Sequence, residues 1–173
     1  MRKYYFINKL DTNTIDKQDK KTNIIYREGN SVKANEKEII KIKKFCKKKL
    51  INFYLSNDVK LAIKLNLDGV YISAFNHSFK HLAYSCKKNF EIIGSAHNIK
   101  ELIIKKKQKS TLIFLSPIFK KKNKNALGLY RYNNIKKLFK LKFAPLGGIN
   151  ESNLRLIKML DADSFAAISY FTK

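Results

Sequence analysis

A few residues spread along the 173-residue chain could do chemistry: Arg27, Asn57, Asp58, Ser95, His97, Lys124, Gly147, Gly148 and Ser169. The set is cationic, amide-bearing and glycine-containing, with one carboxylate. It suits a phosphorylated ligand better than a hydrolytic triad. A Gly147-Gly148 step lets backbone N–H groups approach a phosphate closely, with a helix expected to begin at Asn150 to Glu151. His97 is of the type that works as a general acid or base near neutral pH, and equally of the type that bonds to the start of a helix. His77 and His81 stand at i and i+4 on an expected helix, a possible metal pair with no third ligand nearby. Cys46 reads as a core residue and Cys86 as a helix residue, neither with an activating partner.

These positions fall at the ends of short apolar, β-rich runs that alternate with amphipathic basic segments. The runs are 3–8, 23–28, 51–56, 69–73, 91–95, 111–118, 143–148 and 164–170. Continuous apolar runs are the mark of strands buried on both faces. The segments 35–49, 59–67, 78–88, 98–107, 133–141 and 151–160 carry helical spacing. Asn57 or Asp58, Asn98 and Asn150 are placed to cap helices. Strand and helix at this rhythm imply βαβ units around a parallel sheet, and eight strands imply a closed barrel. Segment 9–22 is polar and reads as a loop, and the chain ends just after the last run. The expected fold is therefore α/β, a minimal (β/α)8 TIM barrel lacking a full first helix and the eighth helix, in a single domain over 1–173. Both sides of the seam between first and last strands lose their cover, which makes a homo-oligomer an expectation. In such a barrel the loops after the seventh and eighth strands are the usual phosphate site, which sets Ser169 beside Gly147 and Gly148.

The runs and their flanks also resemble the thiamine phosphate synthase and TenI superfamily. The resemblance rests on Leu115-Ser116-Pro117-Ile118-Phe119, Leu127-Gly128-Leu129, Ala144-Pro145-Leu146-Gly147-Gly148-Ile149 and Phe165-Ala166-Ala167-Ile168-Ser169, in the family's order and spacing. In the N-terminal half it rests on Tyr4-Tyr5-Phe6-Ile7, Ile25-Tyr26-Arg27-Glu28, Asn57-Asp58, Asp68-Gly69-Val70-Tyr71 and Ile93-Gly94-Ser95-Ala96-His97. It covers about residues 3–170. It implies coupling of hydroxymethylpyrimidine pyrophosphate with thiazole phosphate, with release of pyrophosphate and Mg2+ as cofactor. Carried over by position, Arg27 and Lys124 would hold pyrophosphate and Asp58 would be a Mg2+ ligand. Asn57 would contact pyrophosphate or pyrimidine, and Ser95 would orient one of them. Gly148, Ile168 and Ser169 would bind the thiazole phosphate.

The chain departs from that pattern. Ile25 and Gly29 stand where the family has Gln and Lys, Asn76 where it has a second metal-binding Asp, and Lys121 and Asn123 where it has threonines. Mg2+ is usually held by one or two carboxylates plus phosphate oxygens, so Asn76 weakens that site. TenI-like relatives aromatise a thiazole phosphate tautomer with a His, and His97 sits at that position, so a tautomerase is the alternative. A non-catalytic binder of thiamine intermediates is a third reading.

The overall charge adds less than it suggests. Net charge is +24, from 37 Lys and Arg against 13 Asp and Glu. Only Arg2, Arg27, Arg131 and Arg155 are Arg, and the lysines are spread along the chain, as on solvated helix faces. Nucleic acid is an unlikely main partner on that pattern, since its readers cluster charge and favour Arg. No apolar run approaches the ~18 residues of a spanning helix, and the start is too short for a signal peptide. Two cysteines make no disulfide framework, so a reduced cytoplasmic setting is expected.

Overall fold

The computed structural model describes residues 1–27, 35–120 and 125–171. All eight expected strands form: β1 (Arg2–Ile7), β2 (Thr22–Tyr26), β3 (Phe53–Ser56), β4 (Gly69–Ile72), β5 (Glu91–Ala96), β6 (Leu112–Leu115), β7 (Phe143–Pro145) and β8 (Ser164–Ala167). They pair in parallel in the order β7-β6-β5-β4-β3-β2-β1-β8. A parallel bridge between Leu146 and Ala166 joins the two outer strands and closes the barrel. The helices are α1 (Thr12–Asp16), α2 (Glu36–Lys49), α3 (Val59–Lys64), α4 (Ile99–Lys107), α5 (Gly128–Phe139) and α6 (Leu154–Lys158).

Two-residue alternation along each strand divides the apolar side chains into two cores. One side chain from each strand fills the barrel: Tyr4, with Phe6 above it, then Ile25, Tyr54, Tyr71, Ile93, Phe114, Ala144 and Ala166. Large rings on β1, β3, β4 and β6 are accommodated by alanines on β7 and β8, so the interior closes without a channel. Tyr54 donates a 2.6 Å hydrogen bond to Glu91 at the amino end of the barrel. The other set, including Tyr5, Ile24, Leu55, Val70, Ile113 and Phe165, packs under the helices.

Several connections differ from the sequence expectation. Segment 9–22 contains α1, whose Asp11 accepts from the Thr14 N–H at 3.0 Å. Its single apolar residue, Ile15, is fully buried, which is enough to dock one short helix. Segment 78–88 is not an α-helix: only a 3-10 turn, Lys80–Ala83, forms there, and Cys86 lies outside it and is exposed. α6 begins at Leu154, not at Asn150 or Glu151, because Asn150 and Asn153 exchange side-chain-to-backbone bonds that hold a turn first. The β1–β8 seam is not bare. Phe171 turns back over it, with its ring 4.7 Å from that of Tyr5 and 6.5 Å from that of Phe165. No helix among the described residues is long and apolar enough to cross a membrane.

Candidate functional site

The carboxyl ends of β2 to β5 bring one group of expected residues together. Arg27 directly follows β2, where its N–H donates to the Ile7 carbonyl at 2.8 Å. Its guanidinium lies 5.8 Å above the Phe6 ring, so an exposed cation sits over the aromatic fill of the barrel. Below it, Tyr71 and Ser95 are both buried, and their hydroxyl oxygens are 2.7 Å apart. Tyr71 meets Phe6 edge-on at 5.1 Å and stacks on Phe114 at 5.9 Å. Burial pushes the Tyr71 phenol up, while the Ser95 hydrogen bond and the Arg27 charge work the other way.

Asn57 and Asp58 have structural work at this edge. Asn57 adopts a left-handed conformation (φ 63°), which Asn tolerates better than most residues. Its Oδ1 accepts from the Ser73 N–H at 3.0 Å, the Ser73 hydroxyl at 2.9 Å and Asn76 Nδ2 at 3.1 Å. It therefore ties the β3 and β4 loops to each other. Asp58, not Asn57, caps α3, with Oδ1 accepting from the Leu61 N–H at 2.9 Å. Asn76 Oδ1 accepts from the Ser78 N–H at 3.0 Å. One Asp58 oxygen is thus the only carboxylate oxygen that this pair of positions leaves to a cation. No cluster of three or more His, Cys, Asp or Glu that could hold a metal exists among the described residues. Taken alone these side chains offer a cation one carboxylate oxygen, so a Mg2+ bound here would also need phosphate oxygens from a substrate. A cavity of about 170 Å3 opens beside them, lined by Asn57, Asp58, Asn76, Lys60, Lys80 and neighbouring residues.

What holds this edge is a residue whose part the sequence reading missed. Lys105 of α4 is fully buried. Its Nζ donates to the Ser73 carbonyl at 2.7 Å, the Asn76 carbonyl at 2.7 Å and Gln108 Oε1 at 2.9 Å. Gln108 Nε2 donates to the carbonyls of Asn76 and Ser78, and its own carbonyl meets His81 Nε2 at 2.9 Å. His81 therefore serves this network and does not pair with His77. A side chain at Gly94 would stand 2.8 Å from Ser110 Oγ and 3.0 Å from the Lys105 stem, so only glycine leaves Lys105 this path. Burial pushes the Lys105 ammonium down to about 8, against the pull of Glu101. Lys105 lies three residues after Leu102 on the buried stripe of α4, but a lysine at that spacing reads as solvated without the packing around it.

The ends of β7 and β8 bring the second group together. Gly147 and Gly148 have φ of 97° and 73°, which few other residues adopt. A side chain at Gly148 would stand 2.9 Å from Phe119 Cβ, because the 117–119 segment packs directly on the glycines. That packing is fixed by Ile118 and Phe119 N–H groups donating to Leu146 and Gly147 carbonyls at 2.9 and 3.1 Å. The Leu146–Ala166 bridge sets Gly148 and Ile168 each two residues further along neighbouring chains. Among the described residues, no acceptor takes the N–H of Gly148, Ile168 or Ser169. Unpaired N–H groups beside small residues are what an anion-binding turn presents.

His97 stands apart from both groups, at the start of α4. Its N–H donates to Glu101 Oε2 at 2.7 Å, and its Nδ1 lies 3.1 Å from the same oxygen. Partial burial opposes ionisation of Glu101, but the contacts from His97 and Asn98 outweigh it and hold the carboxyl below its usual range. Lys124 lies outside the described residues.

An eight-stranded parallel sheet closed on itself and flanked by helices is a (β/α)8 barrel. Comparison with known proteins narrows this. A family model described as thiamine monophosphate synthase matches residues 15–171, and the chain belongs to that family. It is 30% identical over 148 residues to the thiamine-phosphate synthase of Prochlorococcus marinus, covering 83% of this chain and 42% of that protein. It is 26% identical over 159 residues to the thiamine-phosphate synthase of Listeria welshimeri, covering 86% of this chain and 76% of that one. The chain thus spans less than half of one of these relatives and about three quarters of the other. Among solved structures, the thiamine phosphate pyrophosphorylase of Pyrococcus furiosus superposes with a TM-score of 0.75 at 20% identity, over 97% of this chain and 85% of that one. That likeness establishes the shared fold.

Proposed function

We propose that this domain, over 1–173, couples a hydroxymethylpyrimidine diphosphate to a thiazole phosphate, giving thiamine phosphate and pyrophosphate. Family membership supports the reaction class. The observation that carries the assignment to this chain is the pairing of two anion-suited groups at one barrel mouth. Arg27 and Ser95 stand at the ends of β2 and β5, and at the ends of β7 and β8 stand the N–H groups of Gly148, Ile168 and Ser169, which meet no acceptor among the described residues.

In this reading the bond between the pyrimidine methylene carbon and the diphosphate oxygen breaks, and the electron pair leaves with pyrophosphate. The thiazole nitrogen then donates its lone pair to the methylene carbon. The chain's part is positioning and charge stabilisation. Arg27 and the Ser95 hydroxyl meet the negative charge that grows on the leaving oxygen, a task the family resemblance also gives to Lys124, which lies outside the described residues. The backbone N–H groups beyond β7 and β8 hold the thiazole phosphate in line. Asn57 shapes the pocket wall through Ser73 and Asn76. Asp58, with one oxygen left by its cap, would hold a Mg2+ together with diphosphate oxygens, and the ion would add charge neutralisation at the leaving group.

The Glu101 contact orients His97 through Nδ1 and does not decide against proton transfer; coupling is favoured over the tautomerase because the relatives are thiamine-phosphate synthases, and the binder and nucleic-acid readings draw no support from the site. A cytoplasmic homo-oligomer completes the proposal. Its support has moved from the seam to the stretch between β4 and β5, where Phe75 (80% exposed), Phe79, Leu82 and Tyr84 face solvent. Light scattering on the purified chain tests the oligomer. Incubation with both substrates, with thiamine phosphate followed by chromatography, tests the reaction.

A further inference from the structure

Tyr71 is a polar residue at the mouth for which the sequence reading found no role. It lies inside the barrel, 4% exposed, on the strand between those that deliver Asn57 and Ser95. Its ring is wedged between Phe6 and Phe114, so the hydroxyl has little freedom to move. That hydroxyl is 2.7 Å from Ser95 Oγ, and this is the one hydrogen-bond contact its hydroxyl makes among the described residues. A phenol is a stronger donor than an aliphatic alcohol, and an alcohol oxygen the better acceptor. The favoured arrangement therefore has Tyr71 donating to Ser95 Oγ. The Ser95 O–H is then excluded from that direction and must donate elsewhere. Arg27, whose charge acts on Tyr71, marks the electropositive side of the mouth.

We propose that Tyr71 is a positioning residue: its hydroxyl fixes Ser95 so that the Ser95 O–H points, alongside the Arg27 guanidinium, at the diphosphate leaving group. This inference rests on the coupling reading above. Ser95 would otherwise rotate among its staggered positions, and Tyr71 removes that freedom before substrate arrives. The bond from Ser95 strengthens as charge develops on the departing oxygen, so its loss is felt in kcat more than in KM.

The test is a double-substitution cycle on the intact chain with Tyr71→Phe, Ser95→Ala and both together. Tyr71→Phe keeps the ring that packs on Phe6 and Phe114 and removes only the hydroxyl. The expected result is a fall in kcat of roughly 3- to 10-fold, the worth of one hydrogen bond, with KM for thiazole phosphate unchanged. The double variant is expected to be no slower than Ser95→Ala alone, because Tyr71 acts only through Ser95. A merely structural role would multiply the two effects and shift both KM values. Either that multiplication or an unchanged kcat in Tyr71→Phe overturns the proposal. If the wild-type chain forms no thiamine phosphate, the coupling reading fails by itself. Calorimetric binding of inorganic pyrophosphate to the same four proteins then decides the Tyr71 inference. Weaker binding by Tyr71→Phe, with no further loss in the double variant, upholds it, and equal affinities overturn it.

Discussion

Asp58 shows how one side chain expected as a ligand is also a helix cap. The family resemblance implies a metal role for it, and the structure adds a cap, with one of its two oxygens committed to the Leu61 N–H and the other left to a cation. Asp58→Ala is expected to cost about 1 kcal/mol of stability through the lost cap, readable as a lower urea midpoint. At Gly148 the backbone freedom expected from the sequence is present. A positive φ and a contact with Phe119 both demand glycine, and the free N–H is what a phosphate needs. Gly148→Ala is expected to weaken inorganic phosphate binding by roughly 10-fold or more, since even a small misplacement of a binding group is costly. Unchanged affinity would remove Gly148 from the phosphate site. Arg27, Ser95 and Asn57 were legible by residue type. Their partners were not, because hydrogen bonds to Tyr71 or Ser73 depend on which strands lie side by side.

At the scale of elements, the strands were the clear part of the sequence. Each buries both faces, so it reads as an unbroken apolar run, and all eight appear within a few residues of expectation. The connection between β4 and β5 was not legible. Its helical spacing suggested an amphipathic helix, but the segment is held as a loop by Lys105 and Gln108, which satisfy the carbonyls of Ser73, Asn76 and Ser78. A lysine reads as solvated in any pattern-based scheme, and only tertiary packing shows that this one is buried. Its titration has a definite signature. In the folded chain Lys105 titrates at about 8 against its usual 10.5. Between those values the unfolded chain binds more protons, so the Lys105 contribution to stability rises with pH across that window and is flat below it. Urea denaturation from pH 7 to 10.5 is expected to show the wild type gaining stability relative to Lys105→Met above pH 8. A constant difference between the two proteins would contradict the burial of this ammonium.

For the whole molecule, charge and length proved unequal guides. The net charge of +24 suggests a polyanion-binding surface, but few of these cations fall among the expected site residues, and Arg27 is the one seen over the Phe6 ring at the carboxyl mouth. The short chain suggested an economical barrel with open seams. Phe171 covers the β1–β8 seam within the chain, and Ile15 docks the short α1 after β1, both on segments too short to carry a periodic signal. What the barrel then offers is one mouth with two anion-suited sides, and the central claim is that both are used in one turnover. The direct measurement is the yield of thiamine phosphate and pyrophosphate from the two phosphorylated substrates, for the wild type and for Arg27→Ala. Equimolar products are expected from the wild type, with kcat/KM lowered roughly 10- to 100-fold in Arg27→Ala, the worth of a charge-assisted contact. Absence of product, or product formed equally well without the Arg27 guanidinium, would contradict the account.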